Sequence, residues 1–244
     1  MTIKNILIDL DGTLTDPKAG IHRSIRYALE KLGHPLADEV DLDWTIGPPL
    51  KASLAKLLNT HDDALAEQAL AAYRERFSVT GLFENEVYAT VVETLQQLQV
   101  QGYQLFLATA KPTVYAKRIL AHFELDQYFT EMYGSELTGE RTNKADLIAY
   151  ILEKEQLDAR QCIMVGDRQY DVIGARANGI ETIAVNYGYG TADELADPVA
   201  LAGLSRLLAA NDWQRQNGGP FALELMEGLP EDRNIWLWAN DPLN

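Results

Sequence analysis

Apolar and polar positions along the chain fall into two textures. Ile3 to Leu10 is a short, almost continuous apolar run that ends in acidic residues, the pattern of a strand buried on both faces of a parallel sheet. From there to residue 103 no strand pattern recurs, and apolar residues return at helical spacing. Ile21, Ile25, Ala28, Leu29 and Leu32 form one helix face, stopped by Gly33 and Pro35. Leu50, Leu54, Leu57 and Leu58 mark a second helix, entered through Gly47-Pro48-Pro49. Ala66, Leu70, Tyr73 and Phe77 mark a third, closed by Gly81.

From about Glu86 strands and helices alternate. The pattern predicts a helix near 89–101, a strand Tyr103 to Ala108, and a helix from Pro112 to about His122. A short strand follows near Met132 to Gly134, then a helix over about 144–156 and a strand Cys162 to Val165. A helix from about 170 ends at Asn178-Gly179, and Thr182 to Val185 is a further strand. This order predicts an α/β fold with a doubly wound parallel sheet, interrupted after its first strand by an inserted helical block. Residues 1–15 and 86–210 are expected to form the sheet-bearing core, and 16–85 a helical cap placed to act as a lid over the active end of the sheet. Residues 211–244 form an extension of unknown role, broken at Gly218-Gly219-Pro220 and carrying Trp236-Leu237-Trp238. Packing against the core is its expected fate, with a dimer contact or a loose tail as alternatives.

Composition narrows the class without naming a function. The chain has 244 residues, 47% of them hydrophobic and 23% charged, so it can bury a proper core in one large or two modest domains. No apolar stretch approaches the roughly 20 residues of a membrane span, and the amino terminus lacks a basic segment followed by an apolar one. A cytoplasmic protein without membrane association is expected. Its single cysteine, Cys162, lies in an apolar strand and is expected to serve packing rather than reactivity. The net charge of −15, with no basic cluster, argues against a nucleic-acid backbone as partner. A small anionic substrate stays possible, because a metal ion and a few local cations can reverse the field inside one cleft.

Candidate chemistry gathers at strand ends, where open α/β sheets bind their ligands. Asp9 and Asp11 alternate with Leu10, so both carboxylates point roughly the same way. Acids also follow buried strands merely because the chain is surfacing, and Asp-Gly is a common turn pair. Thr109, at the end of the Phe106-Leu107-Ala108 run, either donates to a phosphoryl oxygen or caps the next helix. Lys144 stands at a helix amino terminus, where a cation works against the dipole, and could neutralise charge on a nucleophile and a phosphoryl group. In Val165-Gly166-Asp167, followed four residues later by Asp171, Asp167 suits direct ligation of a hard cation. Asp171 fits better behind a water, or as the partner that holds Lys144.

Taken together, the D-x-D-G-T box (9–13), Thr109, Lys144 and the G-D-x-x-x-D box (166–171) resemble the haloacid-dehalogenase-like superfamily, in the branch with a helical cap after the first strand. The resemblance spans residues 1 to about 210. D-G-T-L-T-D (11–16), I-G-P-P-L (46–50), A-K-P (110–112), V-G-D-R (165–168) and G-Y-G (188–190) make it most similar to the phosphoglycolate phosphatase and 5′-nucleotidase-like group. The resemblance implies a Rossmann-like core and a phosphatase in which Asp9 attacks phosphorus to form an aspartyl-phosphate. Asp11 would act as general acid and then base. Mg²⁺ would be held by Asp9, Asp167 and the Asp11 backbone carbonyl, with Asp171 as a supporting residue. Thr109, Lys144 and backbone N–H groups around Leu10, Gly12 and Ala110 would cradle the phosphoryl oxygens.

The acid at position 11 argues against a dehalogenase, and no cap lysine among Lys18, Lys51 and Lys56 stands out for Schiff-base chemistry. A β-phosphoglucomutase-like mutase shares the boxes, and a catalytically silent binding module is a minor rival. Arg23 and Lys51 are candidate cap contacts for a second anionic group on the substrate. A small phosphorylated metabolite is the expected partner, and a monomer or homodimer the expected state.

Overall fold

The computed structural model describes residues 3–195, so the 211–244 extension and the 196–210 end of the expected core lie outside the described residues. Strand β1 (Asn5–Ile8) leads through β2 (Thr15–Asp16) into three helices, α1 (Lys18–Lys31), α2 (Leu50–Leu57) and α3 (Asp63–Phe77), and the chain returns through β3 (Glu86–Val87). It continues as α4 (Val91–Val100), β4 (Gln104–Pro112), α5 (Thr113–His122), β5 (Glu131–Ser135) and α6 (Lys144–Lys154). Then come β6 (Cys162–Gly166), α7 (Gln169–Ala177), β7 (Glu181–Ala184) and the single turn α8 (Ala192–Leu195). None of the described helices is long and apolar enough to cross a membrane.

Five strands form one parallel sheet in the order β5-β4-β1-β6-β7. The order reverses at β1, which pairs Leu7 with Phe106 on one side and Met164 on the other. That reversal opens a crevice beyond the carboxyl end of β1, where Asp9 and Asp11 stand. Side-chain alternation splits the core into two layers. Ile6, Ile8, Leu105, Leu107 and Ile163 pack with Val91, Leu95 and Leu98 of α4 and with Ile119 and Leu120 of α5. Leu7, Phe106, Ala108 and Met164 pack with Leu147, Ile148 and Ile151 of α6 and with Ala175 of α7. The first apolar layer continues into the helical block through Ile25, Leu29, Ala69 and Tyr73, so the block shares the core of the sheet.

Two features depart from the sequence pattern. Strand β4 runs to Pro112 instead of ending at Ala108, because a register shift between Ala108 and Pro112 lets it keep pairing as far as Ser135. The Ser135 hydroxyl donates to the Ala110 carbonyl at 2.7 Å and fixes that extension. Pro112 therefore flanks α5 rather than opening it, and Thr109 to Lys111 become strand-end residues. The second departure is the antiparallel pair β2–β3, Thr15 opposite Val87 and Asp16 opposite Glu86. Two residues are too few for periodicity to mark, yet this pair joins the exit and return of the helical block.

Leu7, with no exposure at the centre of the sheet, and Val100, 81% exposed on α4, set opposite limits on truncation. We expect Leu7→Ala to lower unfolding free energy by about 2–5 kcal/mol and Val100→Ala by no more than about 0.5 kcal/mol. Urea denaturation followed by circular dichroism measures both, and equal losses would refute this assignment of the core.

Candidate active site

Asp9 continues the strand: its N–H donates to the Val165 carbonyl at 2.9 Å. The chain then folds back on itself, with the Leu10 carbonyl accepting from the N–H groups of Thr13 (3.2 Å), Leu14 (2.9 Å) and Thr15 (3.0 Å). Leu10 is fully buried and pins this turn to the core. Gly12 sits at φ +82°, and a Cβ there would lie 2.1 Å from Asp167 Oδ2, so a side chain is excluded both by conformation and by the neighbouring carboxylate. The turn thereby brings the end of β1 against the end of β6.

Lys144 draws the other strand ends inward. It begins α6 just after Asn143, whose side chain caps the helix by accepting from Ala145 N–H at 2.8 Å. Its ammonium donates to the Ala108 carbonyl at 2.8 Å and lies 2.7 Å from Asp171 Oδ1 and 3.1 Å from Asp9 Oδ1. Burial opposes the charge on Lys144, but Asp171 and Asp9 outweigh it, and the ammonium is held above the ordinary lysine range. Asp171, in the first turn of α7, also accepts from Arg168 N–H at 3.1 Å. Burial pushes its carboxyl up to about 6 against the pull of Lys144. Asp167 accepts from Tyr189 N–H at 2.7 Å and from the Thr13 hydroxyl at 3.5 Å. Burial first, then the charges of Asp171 and Asp9, hold it well above the usual carboxylate range.

Asp9, Asp167 and Asp171 are all buried and can each offer an oxygen within 4.8 Å of the others. The Lys144 ammonium contacts two of these three carboxylates, Asp9 and Asp171, and the group carries an excess of negative charge that a low-dielectric site tolerates poorly without a cation. All-oxygen donors suit a hard divalent ion. The group therefore fits a metal-binding role on its own chemistry.

Asp11 stands apart from that cluster. Its Oδ2 lies 2.7 Å from Lys111 Nζ, and the Lys111 ammonium lies 4.9 Å from the centroid of the Phe77 ring of α3. Burial raises the Asp11 pKa, while Lys111 opposes the rise. Thr109 is buried beside them, and its hydroxyl accepts from Lys111 N–H at 3.3 Å. It does not cap α5, whose amino terminus has no side-chain cap.

A cavity of about 710 Å³ opens above these residues, between the sheet and the helical block. Asp9, Asp11, Thr109, Ala110 and Lys111 line its floor, and Leu50 and Leu70 line it from the helical side. Tyr73 stacks on Phe77 at 4.9 Å, and Phe77 meets Tyr115 of α5 edge-on at 5.7 Å, giving the cavity an aromatic wall.

The two expected cap contacts behave differently. Lys51 lines the cavity, but its ammonium is already paired with Asp63 (2.7 Å) and Glu67 (2.6 Å). Arg23 pairs with Glu84 at 2.9 Å, is 62% exposed at its side chain, and does not line the cavity. Among the residues that sequence reasoning left without a role, Lys111, Arg168 and Tyr189 all reach this region. Each lies in or beside a string singled out above: A-K-P, V-G-D-R and G-Y-G. Lys111 also shares the strand alternation of Thr109, the same signal that pairs Asp9 with Asp11.

A family model described as haloacid dehalogenase-like hydrolase matches residues 6–185. A 5′-nucleotidase from Pseudomonas aeruginosa is 49% identical over 193 residues, 78% of this chain and 86% of that protein. A phosphoglycolate phosphatase from Aliivibrio fischeri is 30% identical over 80% of this chain and 89% of its own length. The tyrosine-protein kinase PtkA of Mycobacterium tuberculosis is 37% identical over 77% of this chain, which spans only 64% of that protein. Among solved structures, one from Clostridium acetobutylicum described as a predicted phosphatase is 42% identical, with a TM-score of 0.76 over 80% of this chain and 90% of that one.

The raised Asp171 pKa fixes the sign of a linkage test. Its folded value, about 6, exceeds an unfolded value of about 3.9, so the stability it contributes is full in acid and lost as pH rises through about 6. Burial holds Asp167 high as well, so protons on this carboxylate group compete with a divalent cation for it. We expect added Mg²⁺ to raise Tm more at pH 8 than at pH 5 by scanning calorimetry. Equal shifts at the two pH values would remove these carboxylates as the binding site.

Proposed function

The chain belongs to the haloacid dehalogenase-like hydrolase family and is a phosphoric monoester hydrolase, and from that premise we propose that it hydrolyses nucleoside 5′-monophosphates or esters of similar bulk, through an aspartyl-phosphate on Asp9 and with Mg²⁺. The observation that carries the chemistry is the division of the two strand-end acids. Asp9 lies against the Lys144 ammonium and the carboxylate cluster, whereas Asp11 lies across from it against Lys111, facing the cavity.

In the first step an Asp9 carboxylate oxygen attacks phosphorus as the ester P–O bond breaks, and Asp11 gives its proton to the departing alcohol. In the second, a water gives a proton to Asp11 and attacks the same phosphorus. The bond to Asp9 breaks and inorganic phosphate leaves. Lys144 holds Asp9 in place and offsets part of the charge that gathers. Thr109 and the backbone around Leu10, Gly12 and Ala110 are the groups available to the phosphoryl oxygens. Held by Asp9, Asp167 and the Asp11 carbonyl, Mg²⁺ would supply further neutralisation of those oxygens. Desolvation of Asp11 favours its acid form and so suits protonation of an alcohol.

Cavity size supports the substrate class. About 710 Å³ with an aromatic wall falls within the roughly 300–1,000 Å³ of pockets that enclose drug-sized molecules. A two-carbon alcohol such as glycolate would leave most of it unfilled. Phosphoglycolate is the second reading, favoured by the likeness to the Aliivibrio fischeri phosphoglycolate phosphatase over 89% of that protein's length. The proposed setting is cytoplasmic, with a small phosphorylated metabolite as the only partner the reaction needs.

Phosphate release by the purified protein with Mg²⁺, across nucleoside monophosphates, phosphoglycolate and sugar phosphates, tests the reading. We expect the highest kcat/KM with a nucleoside 5′-monophosphate and a loss of at least about 10³-fold in Asp9→Asn. No release from any ester, or release indifferent to Asp9→Asn, would sink the proposal, and conversion of a sugar 1-phosphate to its 6-phosphate would point to a mutase.

A separate series isolates the acid. Read as the single-turnover release of the alcohol, which reports the first step alone, Asp11→Asn should lose about 10²–10⁴-fold on alkyl esters but far less on p-nitrophenyl phosphate, whose leaving group needs no proton. Equal losses on both would deny Asp11 that role.

A further inference from the structure

Arg168 takes no part in the chemistry above, yet it is only 6% exposed and follows Asp167 directly. A guanidinium is strongly charged, and its burial implies partners on every side. Glu194 of α8 takes two of its nitrogens, Nε at 2.9 Å and Nη2 at 3.1 Å, in a fork-to-fork pair. That grip leaves Nη1 to donate to the Ile46 carbonyl, across the boundary between the sheet and the helical block.

The receiving loop is shaped for this contact. Ile46 is fully buried, and Gly47 follows at φ +102°. A Cβ on Gly47 would lie 2.9 Å from Arg168 Cγ and 3.2 Å from its Nη1, so the bare backbone is what lets the guanidinium approach. Gly47, Pro48 and Pro49 line the cavity and lead into α2, whose Leu50 lines it as well. Two other polar ties between the block and the sheet-bearing part lie at the surface, Arg74 to the Leu137 carbonyl (3.0 Å) and Arg118 to the Ser78 carbonyl (2.8 Å), and the Tyr189 hydroxyl reaches Asp16 at a half-buried position. Arg168 makes its tie in the interior.

We propose that Arg168 is a positioning residue that latches the 46–49 loop to the loop carrying Asp167, and so fixes the cavity wall against which a bulky leaving group is held. Glu194 orients the latch and Gly47 admits it. A bulky ester depends on that wall, while a small ester engages little beyond the phosphoryl cradle. The kinetic consequence rests on the phosphatase reading, but the latch itself does not.

Two measurements on the full chain keep those apart. In Arg168→Gln, hydrogen–deuterium exchange should rise about tenfold or more across 44–52, while exchange in β1 and β6 stays as in the wild type. Steady-state kinetics with AMP and with phosphoglycolate should show KM for AMP about tenfold higher, KM for phosphoglycolate within about twofold, and kcat for both within about threefold. Glu194→Gln, which keeps a hydrogen-bonding partner without the charge, should shift both readouts in the same direction by less, and Arg168→Lys should recover part of the loss. Should Arg168→Gln fail to unfold cooperatively, Glu194→Gln carries the test alone. Unchanged exchange across 44–52 would overturn the latch. Equal falls in kcat for the two esters with KM unchanged would overturn its role in holding the leaving group. A wild type inactive on every ester would count against the phosphatase reading and leave the exchange result standing.

Discussion

A single ammonium, that of Lys144, sets the terms on which the strand ends meet. It touches Asp9 beyond β1, the carbonyl of Ala108 in β4 and Asp171 at the start of α7, three segments distant in sequence. Burying two carboxylates in such proximity is costly unless an opposite charge lies between them. Taking the lysine out would leave both acids uncompensated in the interior. The same placement sets a polarity across the crevice. On the Lys144 side acids gather in a group that fits a cation, and on the Lys111 side one carboxyl meets one ammonium under the Phe77 ring. Two aspartates two residues apart thus live in different electrostatic surroundings, the condition under which like groups take unlike roles.

The sheet supplies the precision that this arrangement needs. β1 is paired on both sides, so the backbone that carries Asp9 is held by β4 and β6 before any side chain contributes. Loops bring the remaining groups: Tyr189 N–H to Asp167, and the Tyr187 hydroxyl, at 2.8 Å, to the Thr13 carbonyl. The helical block then supplies the apolar and aromatic surface that a polar strand-end crevice lacks. Rigid sheet and adaptable cover are a common division between chemistry and selectivity.

What was legible in the sequence follows from the same physics. Strand-end acids and the lysine opening α6 are visible because apolar runs, turn residues and helix periodicity locate them without knowledge of partners. The parallel sheet and the helical insertion are legible for that reason too. Arg168 was not, because its partner across the boundary is a backbone carbonyl 122 positions away, and carbonyls leave no mark in composition. Arg23 and Lys51 looked available because a sequence shows cations without their acids; folding brings Glu84 to one and Asp63 with Glu67 to the other. The extension of β4 through Pro112 was hidden by proline's reputation as a helix opener, which a register shift at a sheet edge overrides.

The short β2–β3 ladder bears on how such a molecule can change over time. Because Asp16 and Glu86 are neighbours, the whole of 17–85 begins and ends at almost one point on the sheet. The entropy of closing a loop rises only slowly with its length, so a segment tethered in this way can lengthen, shrink or be replaced at little cost to the scaffold beneath it. Diversification of the cover is therefore decoupled from maintenance of the strand that carries Asp9. A lineage built on this plan can sample new leaving groups by recombination at two adjacent junctions while Asp9 never moves.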